Sequence, residues 1–178
     1  MKNEQVIQAY VDIETVGTEA GAGIWEVGAL ITNNNTGDQF QVSTLCIPQG
    51  RVCSETIKWL KEKPAVWNRY ELALESGVTQ TEALEHLALQ IQKAGGIQCR
   101  ATESFYSWGT FDFPILKEAY SRLLRGKTPW HYGSECDLRS VAKFLNTDIR
   151  PDTSSHEAYK DAVALRTAHY QMLDAIDT

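Results

Sequence analysis

"YVDIETVG", residues 10–17, is the stretch on which the reading of the chain turns. It continues a mostly apolar run from Val6 that contains β-branched residues suited to a strand. Two carboxylates, Asp12 and Glu14, then interrupt it. Side chains two apart on a strand point to the same face, so these acids stand side by side. Left buried and unpaired, such charges lose hydration and repel each other, at a cost of several kcal/mol each. Something positive is expected between them.

Working outward, Val6–Glu14 reads as the first strand and Ile24–Thr32 as the second. "NNNTGD" (33–38) reads as a turn, and Gln39–Ile47 as a third strand in which Phe40, Val42 and Thr44 alternate. Three strands joined by short polar segments predict an antiparallel meander. Residues 54–67 take on helical character, interrupted at Pro64. Residues 79–96 give a cleaner helix: Leu84, Leu87 and Ile91 recur at spacings of three and four, and Gly95 and Gly96 stop it.

"ESFYSWG" (103–109) reads as another strand, and "FDFPILKEAYSRLLRG" (111–126) as a helix with Pro114 in its tolerant first turn. "CDLRSVAKFL" (136–145) is a short helix with Asp137 as N-cap. A last helix starts around "SSHEAYKD" (154–161), with Ser154 and Glu157 spaced as a capping box. Strands followed by alternating strand and helix predict an α/β sheet with helices on its faces, in a single domain over residues 1–178.

The net charge of −6 argues against a protein that coats nucleic acid through a broad basic surface. It leaves room for an enzyme that grips only a strand end, because a carboxylate site offsets its charge with divalent cations. Cys46, Cys53, Cys99 and Cys136 form no C-x-x-C pair, as expected of reduced thiols in the cytoplasm. A zinc site from Cys99, His131 and Cys136 has no supporting spacing. The N-terminal stretch lacks the apolar centre of a signal peptide, and no run approaches membrane-spanning length.

Two more acids stand where the chain changes direction. Asp112 follows the strand at 103–109, at a strand-to-helix junction of the kind that carries ligand groups in open sheets. Asp161 lies among Ala158, Ala162 and Val163, inside the last helix. Taken singly, Asp112 reads as an N-cap and Asp161 as a solvated helix residue. His156 falls in the first turn of that helix, where the positive end of the dipole favours neutral imidazole. Five residues separate it from Asp161, about 500° of rotation at 3.6 residues per turn. The two converge only if His156 leans out from the helix start.

The ordered set "DIET" (12–15), "FDFPIL" (111–116) and "HEAYKD" (156–161) resembles the three motifs of the DEDDh 3′→5′ exonucleases, DnaQ-like enzymes of RNase H-like fold. The resemblance runs from about Val6 to Tyr170. It implies a mixed five-stranded sheet, the antiparallel meander plus parallel strands, with helices on both faces. "DIETVGTEAGAGIWEVGAL", "ETIKWL" and "PWHYGSECDLRSV" look most like small phage and prophage exonucleases and their exoribonuclease relatives. "SWGTFD" departs from the usual asparagine-containing second motif, which bears on the choice of DNA or RNA and not on the chemistry.

The resemblance implies that Asp12, Glu14, Asp112 and Asp161 hold two Mg²⁺ or Mn²⁺ ions, and that His156 takes the proton from the attacking water. Nucleoside 5′-monophosphates would leave from single-stranded 3′ ends, with DNA slightly favoured over RNA and an RNA-specialised enzyme as the alternative. Thr15 and Val16 match positions that contact the terminal nucleotide, and Trp25, Trp108 and Phe111 are candidates to stack on a base. Glu26 is a weaker candidate for a terminal sugar. Trp59 and Trp67 read as packing residues, and "GTEAGAG" (17–23) as a flexible connection, since it has no G-K-[ST]. Many such enzymes are dimers, so a homodimer is compatible. The rivals are a catalytically silent nucleic-acid-binding module and a hydrolase of free nucleotides or other phosphoesters; product analysis separates them.

Overall fold

In the computed structural model, which describes residues 6–96, 98 and 102–176, the meander is the centre of the fold. Strands β1 (Ile7–Thr15), β2 (Ile24–Asn33) and β3 (Gln39–Ile47) pair antiparallel. Strand β5 (Glu103–Ser107) lies parallel to β1, and β6 (Glu135–Asp137) parallel to β5. A two-residue strand, β4 (Val78–Thr79), extends the other edge parallel to β3, giving the order β4-β3-β2-β1-β5-β6. The sheet therefore has six strands where five were expected. The additional short strand adds only one residue pair beyond a single bridge, too little to leave a hydrophobic period in the sequence.

The alternation along β1 sorts the layers. Ile7, Ala9, Val11 and Ile13 face helices α3 (Gln80–Lys93) and α4 (Asp112–Leu124), through Leu84, Leu87 and Ile91 of the first and Phe113, Leu116 and Tyr120 of the second. Trp130 closes this core, stacked on Phe105 with centroids 5.2 Å apart. On the opposite face, Tyr10 and Tyr106 pack with Leu138 of α5 (Leu138–Phe144) and Ala162 and Leu165 of α6 (Ala158–Asp174). Helices thus cover both faces, as expected. Helices α1 (Ser54–Lys61) and α2 (Pro64–Ser76) divide at Pro64, which starts the second of them, and bury Leu60, Val66, Tyr70 and Ala73 against Val16 and Trp25.

The caps follow the local chemistry. Thr79 and Glu82 form a capping box on α3, and the Asp137 carboxylate accepts from the Arg139 N–H at the start of α5. The box expected at Ser154 and Glu157 does not form. Asp152 takes the Ser154 hydroxyl at 2.6 Å, and Glu157 turns its carboxylate to Lys160 at 2.6 Å. His156 then adopts a left-handed φ of 49°, and α6 begins only at Ala158. His156 therefore precedes the helix instead of occupying its first turn. Cys99 lies outside the described residues, and with it the zinc arrangement with His131 and Cys136. Among the described residues no helix is long and apolar enough to cross a membrane.

Candidate active site

Asp12 and Glu14 lie on the α6 side of β1, next along the face after Tyr10. Asp12 pairs across the ladder with Gly28 of β2. A Cβ at position 28 would lie 2.0 Å from the Ala158 carbonyl carbon and 2.2 Å from the Tyr159 nitrogen. The bare glycine lets the first turn of α6 rest on the sheet backbone beside Asp12. Asp112 comes from the other direction: β5 ends at Ser107, a short turn through Gly109 (φ 94°) follows, and α4 opens on Asp112. Its Oδ1 accepts from the Ile13 N–H at 3.2 Å, which fixes it to the strand between the two acids of β1.

One cleft of about 240 Å³ is lined by Asp12, Glu14, Asp112, Asp161, His156, Trp108, Phe111 and Thr153. Five residues from three distant segments thus meet at one place. The ligand atoms of Glu14, His156 and Asp161 lie within 4.8 Å of one another. The His156 Nδ1 is 3.8 Å from Glu14 Oε1, and its ring meets the Trp59 indole edge-on at 5.0 Å. The Ser155 hydroxyl donates to Asp161 Oδ1 at 2.6 Å.

The electrostatics answer the question raised by the opening motif. Burial, then the neighbouring carboxylates Asp112, Glu14, Asp161 and Glu26, push the Asp12 carboxyl well above the ordinary range. Burial raises Asp112 to about 7 against the pull of its backbone hydrogen bonds. Glu14 and Asp161 are also raised by burial, partly offset by His156 and Ser155 respectively. The Glu14 carboxylate holds the His156 imidazole above its usual pKa, against the opposing effect of partial burial. A cluster of hard oxygen donors that repel one another fits divalent cations such as Mg²⁺ or Mn²⁺.

This has a thermodynamic consequence. Where a carboxyl pKa is raised on folding, the native state binds more protons than the unfolded chain, and stability falls as pH rises through the window between the two values. For Asp112 that window runs from the ordinary carboxyl value of 3.8 up to about 7. In EDTA the melting temperature should therefore rise by several degrees when pH is lowered from 8 to 5.5. At pH 8, Mn²⁺ at a hundredfold excess over its Kd should stabilise by about 2.7 kcal/mol, roughly 5–10 °C. A melting temperature in EDTA that falls over this acid range, or one indifferent to Mn²⁺ at pH 8, would contradict this account of the cluster.

The remaining sequence candidates divide. Trp108 and Phe111 line the cleft, and Thr15 lines an adjoining pocket of about 320 Å³ with Glu55, Thr56 and Trp59. Trp25 and Val16 are wholly buried. The Trp25 indole N–H donates to the Thr15 carbonyl at 3.2 Å, so this residue supports the turn from beneath and offers no face to a base. Val16 likewise packs its side chain with Leu60 and Tyr70. Glu26, suggested for a sugar contact, is fully buried and accepts from Nε and Nη2 of Arg69, at 2.7 and 2.5 Å. Sequence reasoning missed Ser155, and placed Trp59 only in packing. The S-x-x-x-x-x-D spacing of Ser155 and Asp161 carries no signal until the left-handed turn at His156 is known.

The chain covers 98% of its own length in an alignment with cell-death related nuclease 4 (CRN-4), a crystal structure, at 8% identity and a TM-score of 0.53. It spans 66% of that nuclease's length, and the likeness is one of fold. No curated protein matches. Residues 8–173, a span that includes all but the first residue of β1 and all but the last of α6, match the 3′-5′ exoribonuclease Rv2179c-like domain. The chain belongs to the Rv2179c-like family of 3′-5′ exoribonuclease domains.

Proposed function

We propose that this domain is a DEDDh-type exonuclease that removes nucleoside 5′-monophosphates one at a time from the 3′ ends of single-stranded RNA, with DNA as a secondary substrate. The observation that carries the reading is the convergence of Asp12, Glu14, Asp112, Asp161 and His156 on one cleft. The slight preference for DNA drawn from the phage-like resemblance gives way here to RNA, because the matched family is an exoribonuclease domain.

Asp12, Glu14, Asp112 and Asp161 would hold two divalent ions, which when bound lower the pKa of water and neutralise charge developing on the phosphodiester and its leaving oxygen. His156 lines the cleft with its side chain about a third exposed and accepts the proton of the attacking water. Trp59 limits its swing. Ser155 orients Asp161, and the Ile13 N–H orients Asp112. The pocket bordered by Thr15, Trp59 and Phe111 receives the terminal nucleoside, with the Phe111 ring shared between that pocket and the cleft.

Matched 5′-labelled RNA and DNA strands, incubated with Mg²⁺ or Mn²⁺ and resolved over time, test the reading. A ladder shortening from the 3′ end, faster for RNA and abolished by EDTA, is the expected result. Binding without shortening would return the silent module, and cleavage of free nucleotides alone the phosphoesterase. His156→Ala should lower kcat about 10²-fold, the scale of a lost general base. The Mg²⁺ concentration for half-activity should stay within about threefold. A large rise in that concentration would make His156 a metal ligand, an alternative its place beside Glu14 and Asp161 makes worth measuring.

A further inference from the structure

The catalytic cleft opens two ways, and the two sides differ in charge. Toward α1 it shares Ile13, Glu14 and Phe111 with the terminal pocket, whose lining includes Glu14 and Glu55 and no cation. Toward α5 it shares Trp108 with a second pocket of about 280 Å³, lined by Arg139, Lys143, Arg150, Ala142, Thr147 and Ile149, with no carboxylate. Four other cations of this acidic protein are spent on carboxylates: Arg69 on Glu26, Lys117 on Glu135, Arg122 on Glu118 and Lys160 on Glu157. Among the described residues, Arg139, Lys143 and Arg150 form no ion pair.

We propose that the Arg139–Lys143–Arg150 pocket is the track for the strand on the 5′ side of the scissile bond, holding its phosphodiesters while Trp108 stands between them and the reacting phosphate. The inference rests on the exonuclease reading. Beyond the scissile bond at a 3′ end there is one nucleoside and no further phosphate, which suits the carboxylate-lined pocket. On the 5′ side a phosphate recurs with every nucleotide, which suits three cations. An endonuclease would need positive charge on both sides of its cleft. Segment 145–155 joins the two regions, since Arg150 faces the track and Thr153 the cleft. Phe144, next to Lys143 in the chain and outside the pocket lining, is 89% exposed, an aromatic of the sort that stacks on single-stranded bases.

The test uses the double variant Lys143→Gln/Arg150→Gln, both positions being exposed, and a fluorescent ten-nucleotide RNA with Ca²⁺ in place of Mg²⁺, so that the strand binds uncut. Anisotropy titrations between 50 and 200 mM salt should show affinity about tenfold weaker at the low end. The slope of log K against log salt should shrink by about 1.4, two phosphate contacts at about 0.7 each for a single strand. The charge-preserving Lys143→Arg/Arg150→Lys variant should bind like the wild type. Unchanged affinity and slope in the glutamine variant would overturn the track, as would equal loss in the charge-preserving variant. Wild-type protein that binds RNA in this way yet fails to shorten it in Mg²⁺ would instead count against the exonuclease reading, leaving the track to stand on the binding data.

Discussion

Asp12→Ala is expected to lower exonuclease turnover by about 10³-fold or more while leaving the folded protein intact and, in EDTA, more stable than the wild type. The two halves of this result have one cause. The Asp12 carboxyl is raised by burial and by four neighbouring acids, so in the absence of cations it is a net source of repulsion. Removing it relieves Asp112 and Glu14. The same position lines the cleft with Asp112 and Asp161, where loss of one preorganised electrostatic group costs about 10²–10³ in rate even without a metal to lose. The check is paired: timed RNA ladders in Mg²⁺, and thermal melts in EDTA at pH 8. Turnover above a tenth of wild type would remove Asp12 from the chemistry. A melting temperature well below wild type in EDTA would mean that the carboxylate is a structural partner and that the repulsion described here is wrong.

The acids were legible because a charge in an apolar strand breaks the pattern of its own surroundings. Asp12 and Glu14 stand out in β1 for that reason, and the period-two rule put them on one face before any contact was known. The meander was legible from its alternation, and α3 from its spacing and its glycine stop. What the sequence did not carry was tertiary. Trp25 looked like a base-stacking candidate because an aromatic beside a catalytic motif is indistinguishable from one beneath it. β2 is central and covered on both faces, so Trp25 and Glu26 are both buried although they point in opposite directions. Glu26 found Arg69 forty-three residues away. The start of α6 was misjudged because Asp152 and Lys160 compete for the two groups of the expected capping box, a contest of local hydrogen bonds that propensity does not rank.

The second large effect belongs to a residue with no side chain. Gly28→Ala is expected to cut turnover about 10²-fold and to lower the melting temperature, and Gly28→Val to yield no soluble folded protein. The added Cβ would sit 2.0 Å from the Ala158 carbonyl carbon, where ordinary contact begins at 3.4 Å, so α6 must retreat by roughly 1.4 Å or β2 must bend. Both obstacles are backbone, and neither can rotate aside. Overpacking of this kind costs typically 1–3 kcal/mol. The functional loss comes from geometry: α6 carries Asp161, and the turn before it carries His156, so the retreat draws both away from Asp12 and Glu14 on the strand. A displacement of about 1 Å costs on the order of 10²-fold in a preorganised site. Comparing Gly28→Ala with a remote destabilising change such as Leu87→Ala separates the two contributions. At a temperature where both are fully folded, Leu87→Ala should keep near-native turnover, because Leu87 packs on the α3 side of the sheet, away from the carboxylates. Equal activity in the two variants would mean that α6 accommodates the methyl without moving its ligands, and the close seating of the helix on Gly28 would not be what assembles the site.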